Sequence, residues 1–261
     1  MTDAMSLAGL WSPEAAFVSQ PAPLVDLWEA RGKFDTKFVA DLPEAAQRYL
    51  MHAIAPGTVL ATSVKLQMCG EIKIKKWHRF TGEQIIHRTH EFVWRAKTRM
   101  IGVPVRGFDR LVNGKGAMHW RAFGFLPVMT RYGAKITRSA AGRAIAESVW
   151  LPSTLCRNTV RWTALTPWRP HAHIVAQSEW AELALKIDDD GALQSLALLR
   201  WGNPHGGDFH YIPFGAIVEA EETFRGYTIP TRLRIGYYAG TPRFESEGEF
   251  LRITIDNATF L

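Results

Sequence analysis

Cysteine is almost missing from this chain: Cys69 and Cys156 are the only two in 261 residues. That excludes a disulfide framework as the source of stability, and with it the cysteine-rich zinc modules. No stretch of about eighteen apolar residues occurs either, which argues against a membrane-spanning helix. The N-terminal MTDAMSLAGLWSPEAAF has neither a basic leader nor a long apolar segment, so the protein is expected to be cytoplasmic, with both thiols reduced. Nucleotide and nucleophile signatures are lacking as well. The glycines at 202, 206 and 207 fit no Walker or dinucleotide pattern, and Ser139, Ser153 and Cys156 stand in no GxSxG elbow or activated-thiol context. No cofactor is expected.

Charge is present but dispersed. The formal net charge is +6, yet its densest groups, Lys73–Lys76 and Arg131–Arg143, lack the tight run of a basic arm or a nucleic-acid motif. The surplus reads as solvated surface, and no nucleic-acid partner is expected; an anionic small ligand or a membrane surface stays open. Nine histidines invite a metal hypothesis, but neither His171 with His173 nor His87 with His90 and Glu91 makes a HExxH or Cys/His spacing. No metal site is expected.

What the chain does have is hydrophobic residues at 47% of the sequence, enough to bury a sizeable core, and a change of period along its length. The first part is helical. Leu24, Val25, Leu27 and Trp28 have helical spacing in Pro23–Arg31, and Asp41-Leu42-Pro43-Glu44 starts a second helix running to about Ile54, with Asp41 as its N-cap. From Val59 the period becomes two: Val64, Leu66, Met68, Ile72 and Ile74 alternate with polar residues, and Gly70 holds one apolar-face position, where a bend or close contact is allowed. Gln84–His90, Glu91–Thr98, Gly107–Val112 and Ala117–Phe123 continue as strands, with Asn113-Gly114 supplying a hairpin turn. A helix over Ser139–Trp150 interrupts them and Pro152 stops it. Strands resume at Thr159–Leu165, His171–Ser178, Leu183–Ile187 and Leu193–Leu199, and Asp188–Gly191 is a turn.

The expected fold is α+β: one large curved antiparallel sheet, half-barrel-like, with a few helices packed on its concave face. One domain is expected over 1–261, in which a helical segment (1–58) packs on the sheet formed by 59–261, with helix 139–150 inserted. Nothing in the sequence specifies an oligomeric state.

Three motifs in this order are distinctive: RSAAGRAIAESVWLPSTL (138–155), RWGNP with the FHYIPFG segment, and FRGYTIPTRLRIGYYAGT. Together they resemble a bacterial family known mainly as a domain of unknown function, over roughly Leu42 to Phe260. That resemblance implies no activity. More weakly, the strand opening Gly226-Tyr227-Thr228-Ile229-Pro230 and the many long antiparallel strands resemble the lipoprotein-carrier fold, a half-barrel sheet curved around helices.

Two segments carry candidate chemistry. Arg143 and Glu147 share one face of the expected helix, with Trp150 one turn on and Arg138 just before it. Arginine beside Glu147 would hold it ionised, and an apolar Trp150 lid would raise its pKa toward general-acid range; the same spacing also describes an ordinary surface ion pair. The second segment is Arg200–Tyr211. There a strand ends in a glycine-rich loop bearing Arg200, Trp201, Asn203, His205, Asp208, His210 and Tyr211, which reads either as a binding loop or as a turn capped by Asn203 and Asp208.

Ten Trp and fourteen Phe are enough to line a cavity under a curved sheet, or to fill a core. The first expectation is therefore a binding module for a hydrophobic small molecule, neutral or anionic, held by Arg138, Arg143, Trp150, Arg200, Trp201, Asn203 and Tyr211. The alternatives are a cofactor-independent lyase, hydratase or isomerase, with Glu147, His210, Asp208 or His205 as acid and base, and a structural or partner-binding protein.

Overall fold

Thirteen strands, β1 Ser63–Ile74, β2 Lys76–His87, β3 Glu91–Met100, β4 Val103–Val112, β5 Lys115–Ala122, β6 Leu126–Tyr132, β7 Arg161–Thr166, β8 Arg169–Ala176, β9 Glu179–Ile187, β10 Leu193–Gly202, β11 His210–Phe224, β12 Tyr227–Tyr237 and β13 Glu249–Phe260, form a single antiparallel sheet in the computed structural model, which describes residues 32–261. The helix expected over Pro23–Arg31 lies outside the described residues.

The spatial order of the sheet is β6-β5-β4-β3-β2-β1-β13-β12-β11-β10-β9-β8-β7. Every connection but one is therefore a local hairpin or short loop between neighbours. The exception is β6 to β7, which must travel from one edge of the open sheet to the other. Helix α2 (Ala134–Ala146), followed by 3-10 turns at Glu147–Trp150 and Pro152–Cys156, makes that journey. It packs against β4 and β5 of one wing and β8, β9 and β10 of the other. A single helix can touch both wings only if the sheet bends around it, so the face carrying α2 is the concave one. The half-barrel expectation holds, and the crossover explains it.

Helix α1 (Glu44–Ala53) packs beside it against β7, β8 and β12, with Ala46 and Leu50 fully buried. Asp41 is not its cap: the N-cap position belongs to Pro43, without a side-chain hydrogen bond. Asp41 stands two residues before that position, and the Gln47 side chain instead reaches back to donate to the Leu42 carbonyl at 2.8 Å.

The inserted helix also departs from its expected bounds. It begins at Ala134 rather than Ser139 and tightens to 3-10 geometry from Glu147, so Arg138 lies inside the helix and Glu147–Trp150 outside its regular part. Its first turn has no apolar stripe to reveal it; it is fixed instead by contact, with Thr137 Oγ1 accepting from the Gly116 amide of β5 at 2.9 Å. Strand β6 is likewise unannounced in the sequence, since its residues are mostly exposed and do not alternate.

In β1, Val64, Leu66 and Met68 are buried as the alternation requires, but Ile74 is 41% exposed and falls off the core face. Between them, Gly70 allows β13 to come close: a Cβ there would lie 1.9 Å from the Arg252 carbonyl oxygen. The Asn113-Gly114 turn forms as expected, with both residues at positive φ.

Candidate functional site

Under the concave face lies a cavity of about 740 Å³, open to solvent. Its apolar wall includes Trp94, Leu196, Phe214, Leu233, Ile235 and Phe250. α2 and β10 bring two arginines to it, in different company.

Arg143 is paired with two carboxylates. Its Nε donates to Glu147 Oε1 at 2.6 Å and its Nη1 to Asp109 Oδ2 at 3.1 Å, while the guanidinium lies over the rings of Phe92 (4.6 Å) and Trp94 (5.2 Å). Each carboxylate oxygen has a partner in turn. Gln84 Nε2 donates to Glu147 Oε2 at 2.6 Å, and Trp120 Nε1 to Asp109 Oδ1 at 2.9 Å. Burial pushes the Asp109 carboxyl above its ordinary range, against the pull of Arg143 and the Trp120 hydrogen bond. Burial also opposes the charge on Arg143, but Glu147 and Asp109 outweigh it and hold the guanidinium above its ordinary range.

Arg200 has no such partner. Its Nε donates to the Ser139 carbonyl at 3.0 Å and its Nη2 to Ser139 Oγ at 3.3 Å, and the guanidinium sits over Phe214 at 4.6 Å. No ion pair to Arg200 occurs among the described residues. Burial, with the nearby positive charge of Arg143 adding to it, pulls Arg200 below the ordinary arginine range. Gly142 of α2 makes room for this side chain: a Cβ there would stand 3.1 Å from Arg200 Cγ.

Every other carboxylate lining the cavity is also occupied. Glu249 accepts from Arg234 (2.8 Å) and Arg252 (2.6 Å), and although burial opposes its charge, these arginines bring its pKa down to about 2. Glu247 pairs with Arg243 at 2.7 Å. Lys73, Lys75 and Arg131 also line the cavity and enter no ion pair among the described residues; the Lys73 ammonium lies over the Trp77 ring at 5.8 Å.

Of the residues singled out in the sequence, Arg143, Glu147, Trp150, Arg200, Asn203 and His205 meet in this cavity. Trp150 is pinned there by its indole N–H, which donates to the Pro230 carbonyl at 3.0 Å. His205 lies at the exposed margin, its ring stacked on Tyr238 at 5.9 Å. Asn203 Nδ2 closes the glycine-rich loop on the Gly207 carbonyl at 3.2 Å.

Arg138, Trp201 and Tyr211 form a separate cluster. Arg138 Nε donates to Glu179 Oε2 at 2.6 Å and its guanidinium covers Trp201 at 4.1 Å, while the Tyr211 hydroxyl donates to Glu179 Oε1. Asp208 and His210 are exposed and line neither; His210 Nδ1 meets only the Asp208 carbonyl, at 3.1 Å.

Asp109 and Gln84 complete the Arg143 network, and local sequence pattern does not single them out. Both stand in the inward phase of otherwise apolar strand positions, Gln84 with Ile86 on β2 and Asp109 with Val105 and Leu111 on β4, and both are buried. A polar residue out of phase with its strand is the signal that would find them.

Among solved structures, the chain is similar to a domain assigned to outer membrane lipoprotein sorting from Vibrio parahaemolyticus (6% identity, 76% of this chain and 85% of that chain covered, TM-score 0.40). It is likewise similar to a LolA superfamily protein from Nitrosomonas europaea (7% identity, 83% and 92% covered, TM-score 0.40). No curated protein matches it. The match that spans both wings of the sheet, the crossover and the cavity is to a family of unknown function, over residues 40–260, and the chain belongs to that family, DUF6920.

Proposed function

We propose that the protein binds an amphipathic small molecule, with its apolar body against the aromatic and aliphatic wall of the cavity and a single anionic group on Arg200. One observation carries this reading: Arg200 is a cavity-lining guanidinium without an ion pair, in a cavity whose carboxylates are all committed to other arginines. A ligand carboxylate, sulfonate or phosphate would supply the missing charge and accept from the arginine's planar set of donors. Lys73, Lys75 and Arg131 add positive potential along the lining, which favours entry of an anion. Acid–base catalysis through Glu147 has less to draw on, because both of its oxygens already accept hydrogen bonds from Arg143 and Gln84.

The test uses two probes with one aromatic body, anilinonaphthalene sulfonate and neutral N-phenylnaphthylamine, each titrated by fluorescence. Arg200→Met is expected to weaken the sulfonate by about tenfold or more and to leave the neutral probe within about twofold. Equal effects on both probes, or none on either, would overturn the proposal.

A further inference from the structure

We propose that the convex face of β3–β5, together with the β5–β6 hairpin tip, docks on an anionic lipid bilayer. The first observation is where the charge lies. Between Glu91 and Tyr132 the chain has eight arginines and lysines against two carboxylates, Glu91 and Asp109; of the eight, Arg131 lines the cavity and Arg95 pairs with Glu83, which leaves six for the outer face and its edges. Asp109 is buried and held by Arg143, and Glu91 accepts from the Asn113 amide at 2.6 Å. Of the two, Glu91 alone shares the outward phase of Lys97 on β3 and opposes these cations.

The second observation is how these charges are arranged. Lys97 of β3 stands directly opposite Arg106 of β4, and Arg106 directly opposite Arg121 of β5. All three are exposed, and none enters an ion pair among the described residues. Like charges facing each other across a sheet destabilise it. One strand away the same sheet handles charge in the ordinary manner, with Glu83 placed between Lys65 (3.2 Å) and Arg95 (3.9 Å). A row of three unbalanced cations adds nothing to folding and suits an anionic surface.

The third observation lies at the end of that row. The hairpin turn between β5 and β6, Phe123-Gly124-Phe125, is followed by exposed Leu126 and Val128; Phe125 is 75% exposed. The Phe123 amide donates to the Pro104 carbonyl at 2.9 Å, which ties this tip to the neighbouring β3–β4 turn, where Ile101 is 97% exposed. The two patches touch: a Cβ on Gly124 would lie 2.4 Å from Arg106 Nη2. Exposed apolar clusters of this kind mark interaction surfaces. Basic side chains on the headgroups and apolar ones below them match the layering of a bilayer interface, where each cation near an anionic leaflet adds attraction. Ile101, Leu126 and Val128 add aliphatic surface to the rings of Phe123 and Phe125, a mixture that suits the acyl-chain boundary better than base stacking, which would draw on the two rings alone.

The experiment is co-sedimentation of the full chain with phosphatidylcholine vesicles, with and without phosphatidylglycerol, at two salt concentrations. Binding only to the anionic vesicles, weakened by salt, is expected. The triple substitution Lys97→Glu, Arg106→Glu and Arg121→Glu should lower that binding by at least about tenfold. Phe125→Trp is a reporter when read as the difference from the parent, which already has ten tryptophans: the added emission should shift to the blue on anionic vesicles if the tip enters the interface. Binding of neutral and anionic vesicles alike, no binding to either, an unshifted emission from the Phe125→Trp variant, or tighter binding to single-stranded RNA than to vesicles would overturn the proposal. Probe binding in the cavity should be unchanged in the triple variant, so this result and the Arg200 result can fail separately.

Discussion

Arg143 and Arg200 line one cavity and feel each other's charge, yet they are built in opposite ways. Arg143 is the hub of a closed network in which each charged group and each of the carboxylate oxygens has a partner. Arg200 has a carbonyl, a hydroxyl and an aromatic face, and no counter-ion among the described residues. The closed network specifies structure, because removing any member strands another buried charge; the open one leaves attraction for something that is not part of the chain.

The sharpest test of that contrast is Arg143→Met. Glu147 and Asp109 would be left buried without their cation, and a loss of about 3–5 kcal/mol is expected in denaturant unfolding. A loss below about 1 kcal/mol would put the two arginines in the same class.

The closed end should also be the acid-sensitive one. His90 lies beside it, with its Nδ1 3.4 Å from Ser148 Oγ, and burial, reinforced by Arg157, lowers its pKa from 6.5 to about 4. The unfolded histidine takes up its proton first as pH falls through about 6.5, while the folded one resists until about 4. The contribution of His90 to stability is therefore expected to drop by about 3 kcal/mol across that window and to be complete below it, where protonation of Glu249, held at about 2, continues the loss. In His90→Gln this part of the slope should vanish; an unchanged slope would place the acid sensitivity elsewhere.

A smaller effect is expected from Glu147→Gln, which puts an amide donor against one of two donors, Arg143 Nε or Gln84 Nε2. About 1–3 kcal/mol should be lost on thermal or denaturant unfolding. A neutral result would mean that the network relaxes freely and is not closed.

The smallest stability effect belongs to Arg200→Met. No carboxylate is stranded, so the change is expected to stay within about 1 kcal/mol even as anion affinity falls. A loss as large as that for Arg143→Met would make Arg200 a structural cation and remove the basis of the contrast.

Much of the site was legible in the sequence. Arg143 and Glu147 four residues apart, Trp150 one turn on, and Arg200 with Asn203 and His205 in a glycine-rich loop were recognisable because local spacing puts such groups on a shared surface. The partners that complete Arg143 were not. Asp109 and Gln84 come from strands that sequence separation does not connect to α2, and only the inward phase of β2 and β4 carries a hint of them. Arg138, Trp201 and Tyr211 had the same local appearance as the cavity residues but turn to Glu179 instead, a residue of β9 brought near by strand pairing.

The sequence by itself determined most of the strands, their alternating faces, the Asn113-Gly114 turn and the presence of one helix among them, because these depend on side-chain period and backbone preference within a few residues. Only the tertiary structure decided that β1 pairs with β13, that the single crossover runs beneath the sheet and curls it, and that Arg143 enters ion pairs while Arg200 enters none among the described residues. Those outcomes depend on which distant strands share an edge and which inward-facing side chains then meet. Contacts of that range leave no periodic trace in the chain, since they arise only when the sheet has curled around its helix.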